Sequence, residues 1–89
     1  MATQVTFKAT ATGNGKLAAS VDHNVLQFND GTATFTLTSG SHLLTWIISG
    51  GKSGDIYSIE ISDPSSAVFQ HSDTLDGEGF DAGGHKFTL

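Results

Sequence analysis

From Thr32 to Thr38 the chain alternates without interruption, with Ala33, Phe35 and Leu37 at odd positions and threonine at every even one. A period of two predicts a β-strand with one dry and one wet face, because successive side chains leave a strand on opposite sides. The same alternation places Val5, Phe7 and Ala9 inward on a first strand, Leu17, Ala19 and Val21 on a second, and Leu26 and Phe28 on a third. Tyr57, Ile59 and Ile61 repeat it later in the chain. His42 to Ile48 is apolar at almost every position, which predicts a central strand, covered on both sides or placed at a sheet centre. Breaks at 49–54, 62–65 and about 72–84 leave further strands near 55–62, 66–71 and 84–89, for a total of about eight. No helical period competes with them.

The turns constrain register. Treating Gly13-Asn14-Gly15 as a three-residue loop pairs Thr12 with Lys16, Ala9 with Ala19 and Phe7 with Val21, and the apolar faces then coincide. Asp30-Gly31 predicts a two-residue hairpin turn that sets Phe28 opposite Ala33 and Leu26 opposite Phe35. Ser39-Gly40 would extend a meander by setting Leu37 opposite His42, although a connection that crosses between sheets would use the same two residues.

Strands at this spacing without helices predict an all-β fold: an antiparallel β-sandwich of about eight short strands, spanning 1–89 as a single domain, with a small β-barrel as the alternative. The size and strand count resemble immunoglobulin-like architecture, with Trp46 as the natural core anchor. The chain has no cysteine, so the Cys…Trp…Cys spacing of that architecture is missing, and Tyr57 lies outside a tyrosine-corner context.

Composition narrows the function. Eighty-nine residues allow one modest core and little concave surface from which to exclude water, which argues against an enzyme. The absence of cysteine excludes disulfides, thiolate zinc sites and thiol nucleophiles. Four lysines against nine acids, a net charge of -5, cannot build the basic stripe that nucleic acid requires. No run is long and apolar enough to predict a membrane span. The compartment stays open.

Few motifs carry chemistry. Gly51-Lys52-Ser53 matches the tail of a phosphate-binding loop, but Trp46 stands where that pattern needs its first glycine, so the segment reads as a Gly-rich connection. No catalytic triad or nucleophile elbow is recognisable, and no catalytic residue is assigned. The densest chemistry lies between His71 and His85, where His71, Asp73, Asp76, Glu78, Asp81 and His85 are the candidate metal ligands. Calcium is the candidate cation if a flexible loop curls its oxygens inward, although the helix-flanked calcium pattern is incomplete. For zinc, His71 and Asp73 at i, i+2 can point to one side of a strand end, with His85 as a third ligand. A solvated acidic connection is the plainer reading.

Trp46 and Tyr57 share faces with isoleucine and leucine, so they read as core residues rather than a sugar platform. His42 reads as a hydrogen-bonded structural histidine and His23 as a turn residue. The threonines at 32, 34, 36 and 38 form a polar face of the kind that could meet ice or glycan. These features favour a non-enzymatic module for protein interaction, adhesion or structural spacing. The alternative is a carbohydrate- or metal-dependent ligand-binding module using 71–85. The expected partner is a protein or a glycan, with the chain monomeric or paired edge to edge as a homodimer.

Overall fold

The computed structural model describes residues 2–13 and 15–89. Eight strands form in order: β1 (Ala2–Ala11), β2 (Lys16–Val21), β3 (Asn24–Val25), β4 (Thr32–Thr38), β5 (Ser41–Ser49), β6 (Ile56–Asp63), β7 (Phe69–Thr74) and β8 (Asp81–Thr88). A short 3-10 turn, Ser65–Ala67, precedes β7. Two antiparallel four-stranded sheets, ordered β4-β1-β6-β7 and β3-β2-β5-β8, pack face to face as a sandwich and do not close into a barrel.

Parity determines the core. Val5, Phe7, Tyr57, Ile59 and Ile61 from the first sheet meet Ala19, Val21, Leu44, Trp46 and Ile48 from the second, all of them buried. Each sheet has one apolar face, and stacking the two faces is how a chain this small removes both from water.

Most strands fall where the alternation predicts them, but the third is only Asn24–Val25, leaving Leu26 and Phe28 outside it, β7 begins at Phe69 after the 3-10 turn, and the partners differ from those expected. The β1–β2 hairpin does not form: Phe7 pairs with Ala33 on β4 and Ile61 on β6, whereas Ala19 pairs with Trp46 and Val21 with Leu44 on β5. The two strands lie in opposite sheets, and Asn14 of the expected loop lies outside the described residues. Asp30-Gly31 does make a two-residue turn, with positive φ at both residues and a bridge from Asn29 to Thr32. That hairpin ends at once, because Leu26 donates its N–H to Ala19 and β4 turns away to pair with β1, so Phe28 and Leu26 do not face Ala33 and Phe35.

Ser39-Gly40 likewise connects across the sandwich. Leu37 pairs with Thr3 and His42 with Phe87, so the meander is replaced by a crossing. Among the described residues only β2–β3 and β6–β7 are neighbours both in sequence and in a sheet. The first two strands of an immunoglobulin domain share a sheet, so the likeness stops at size and layering.

Strand β5 is central but covered on one face only, its residues alternating strictly between exposed and buried. The acidic connection is also shorter than its composition suggests, since β7 runs to Thr74 and β8 starts at Asp81. Gly51 donates to the Gly79 carbonyl and Gly54 to that of Leu75, so the Gly-rich connection 50–54 and the connection 75–80 meet at one end of the sandwich. The chain after Ser53 turns into strand β6, without the helix a phosphate-binding loop needs.

Candidate functional site

Strands β7 and β8 are edges of different sheets, and their inward residues face each other across one margin of the sandwich. Alternation sends Phe69, His71 and Asp73 inward from β7, opposite Ile61, Ile59 and Tyr57. It sends Asp81, Gly83, His85 and Phe87 inward from β8, opposite Ile48, Trp46, Leu44 and His42. Phe69 stacks on His85 with ring centroids 3.7 Å apart and closes one end of the margin.

At the other end, one nitrogen of His71 and one oxygen each of Asp73 and Asp81 all lie within 4.8 Å of one another. Tyr57 organises this group from the core. Its hydroxyl donates to Asp81 Oδ2 at 2.6 Å and accepts from Trp46 Nε1 at 3.3 Å. With its only proton committed to Asp81, the Tyr57 oxygen can only accept from His71, whose Nε2 lies 3.2 Å away. A neutral His71 in that contact therefore carries its proton on Nε2. Burial, reinforced by the hydrogen bond to Asp81, pushes the Tyr57 hydroxyl up to about 12. The same bond, with the Ala82 N–H behind it, holds the Asp81 carboxyl below the usual carboxylate range.

The candidate ligands therefore separate. His71 and Asp73 converge from one strand, as their spacing implies, and Asp81 joins them from the opposite sheet. His85 is engaged with Phe69 instead. Asp76 and Glu78 lie exposed in the connection, where Asp76 Oδ1 accepts the Glu78 N–H at 3.0 Å, and neither belongs to the converging group. Trp46 and Tyr57 are buried, as their parity implies, but Tyr57 is also the organiser of the site, which no local pattern signals.

Compared with family models, curated proteins and solved structures, the chain matches none.

A second group lies at the other end of β5, where His42 pairs with Phe87 of β8. His42 is buried, with Nδ1 2.5 Å from Asp22 Oδ2 and Nε2 2.6 Å from the Thr38 carbonyl. Both ring nitrogens face acceptors, which favours the imidazolium. The Asp22 hydrogen bond, then that to Thr38, raises the His42 pKa above its ordinary 6.5, and the bond from His42 holds Asp22 below 3.8. Asp22 also accepts the Leu43 N–H, and His23 occupies the adjoining turn with positive φ.

The raised His42 pKa means that this pair contributes fully below about 6.5 and loses its contribution as pH climbs through the folded value. The lowered Asp22 pKa means a second loss as pH falls from about 3.8 through its own folded value. Thermal melts across pH should therefore show greatest stability between those limits. The His42→Gln variant should lose the high-pH decline; a wild-type midpoint that stays flat above pH 6.5 contradicts the assignment.

The outer sheet faces differ. On the β4-β1-β6-β7 sheet the outward residues are polar apart from Ala2 and Ile56 at strand ends: Thr32, Thr34 and Thr36 pair with Lys8, Thr6 and Gln4, and Lys8 pairs onward with Glu60. The threonine row at 32, 34, 36 and 38 runs unbroken along β4, with Gln4, Thr6 and Lys8 beside it on β1. On the β3-β2-β5-β8 sheet Ala18, Ile47 and Ala82 form one outward row, and Val25, Ser20, Thr45 and Gly84 the next. Val25, Leu43 and Ile47 are 63%, 41% and 45% exposed. The small side chains of this face leave a shallow depression of about 350 Å³ over Ala18, Ser20, Thr45, Ile47 and Ala82.

Proposed function

We propose that this protein is a non-enzymatic interaction module whose contact surface is the outer face of the β3-β2-β5-β8 sheet. The observation that supports this reading is the contrast between the two outer faces. One sheet turns mainly Thr, Gln, Lys and Glu to water, with Ile56 its one large exposed apolar strand residue, while the other exposes Val25, Leu43 and Ile47 around a floor of Ala18, Ala82 and Gly84. Single exposed apolar residues are ordinary, but a contiguous group on one sheet face marks a binding surface.

Charge specifies the partner's chemistry. Lys16 and Lys86 sit on outward positions of this face, and none of the outward positions of β2, β5 and β8 is acidic, in a chain of net charge -5. The complement is a protein surface with an apolar centre, able to seat a side chain in the depression, and with carboxylates at its rim. The depression is open rather than enclosed, which suits a partner's side chain better than the water-excluded chemistry of an enzyme.

A photo-crosslinking residue at Ile47, introduced in the native host, should give a discrete adduct, while the same residue at Thr34 on the opposite face gives none. Ile47→Lys should abolish competition for that adduct and leave stability within about 0.5 kcal/mol of wild type, because the site is exposed. Equal labelling from both positions, or none from Ile47, would overturn the reading. Sedimentation of the isolated protein over a concentration series tells whether the captured surface belongs to a second copy.

A further inference from the structure

We propose that His71, Asp73 and Asp81 form a binding site for a zinc-class dication, which clamps the free margin where β7 and β8 face each other. The inference is independent of the docking face, since none of the three residues lies on it.

The donor set argues for the ion. One imidazole nitrogen with two carboxylate oxygens suits zinc and its borderline neighbours, whereas calcium takes six to eight oxygens. Only two carboxylates converge here, and Asp76 and Glu78, which would have to complete a calcium shell, lie apart in the connection. A three-residue set leaves one tetrahedral position for water or a ligand.

Independent support comes from outside the ligand group. Tyr57 contacts both His71 and Asp81 from the core, and Trp46 fixes Tyr57 in turn, so two ligands on different sheets are oriented by one buried hydroxyl. Outer partners of this kind are how metal sites hold their ligands in position. Charge points the same way. Among the described residues the ion pair is Asp22 with His42, so no lysine balances the neighbouring carboxylates of Asp73 and Asp81.

The geometry requires a small closure. Tetrahedral zinc at its usual bond lengths places donors about 3.3–3.5 Å apart, against separations here of up to 4.8 Å. Strands β7 and β8 belong to different sheets and share no ladder, so the margin can close without breaking one.

Trp46 provides the readout. It is the only tryptophan, and its ring centroid lies 5.0 Å from that of His71. Zinc chloride titrated into the metal-free protein should bind one to one and shift Trp46 emission, and Co2+, an open-shell ion of the same class, should quench it. At about 100 times its dissociation constant zinc should raise the melting midpoint by roughly 10–20 °C. Asp73→Asn, at an exposed position that leaves the fold intact, should weaken zinc binding at least tenfold, while Asp76→Asn and His23→Gln leave it unchanged. The proposal is overturned by an unaltered Trp46 spectrum, by zinc affinity that survives both Asp73→Asn and His71→Gln, or by a midpoint that responds to calcium and not to zinc.

Discussion

Replacing Trp46 with alanine should cost about 3–5 kcal/mol, the range for deleting a large buried aromatic side chain. A domain has only about 5–15 kcal/mol in total, so this variant should sit near the edge of folding at physiological temperature. Trp46 carries more than its area. It is 6% exposed, packs its ring within 6.0 Å of Phe69 and 5.0 Å of His71 by centroid, and donates to Tyr57. Its loss opens a cavity between the sheets and removes the donor that holds the Tyr57 hydroxyl. Urea unfolding followed by far-UV circular dichroism measures the loss without relying on the deleted fluorophore. A cost below about 1 kcal/mol would mean that the sheets collapse onto the vacated space.

Gly83→Val should be nearly as damaging, for the opposite reason. A Cβ built at Gly83 would lie 2.6 Å from Trp46 Cζ2 and 2.8 Å from Cε2, closer than real side chains approach one another. The indole is a rigid ring wedged in the core, so β8 has to give way, and overpacking of this kind costs about 1–3 kcal/mol and occasionally more. The midpoint should fall by about 4–8 °C for each kcal/mol in a domain of this size. If the two positions share one space, Trp46→Leu combined with Gly83→Val should destabilise less than the sum of the single changes. The coupling between touching residues is typically about 0.5–3 kcal/mol. Strict additivity would show that the glycine answers to some other constraint.

Gly83 also shows what was hidden in the sequence. It reads as one glycine among several in an acidic connection, yet it is a strand residue whose missing side chain makes room for the core tryptophan across the ladder. Likewise Asp81, which looked like part of a loop, is the first residue of β8 and meets His71 and Asp73 from the other sheet. The i, i+2 spacing of His71 and Asp73 was legible, because strand geometry alone puts them on one side. Tyr57 gave no such signal, because its alternation with isoleucine describes burial and not the hydroxyl at the end of the ring. The Asp22–His42 pair joins residues 20 apart, and only the fold could show that Asp22 supplies the partner a structural histidine needs.

The amino-acid pattern by itself determined that this chain makes short strands, which residues face inward where apolar and polar positions alternate, and that Asp30-Gly31 turns tightly. Those properties follow from backbone sterics and the two-residue period, which act over a few residues. Which strand lies beside which was decided by the tertiary structure. Alternation gives a strand its parity but not its neighbour, and Phe7 with Val21 satisfies parity equally well across a ladder or across a core. Burying both apolar faces at once sends most consecutive strands to opposite sheets, and the crossing from β7 to β8 creates the margin where His71, Asp73, Asp81 and Tyr57 meet.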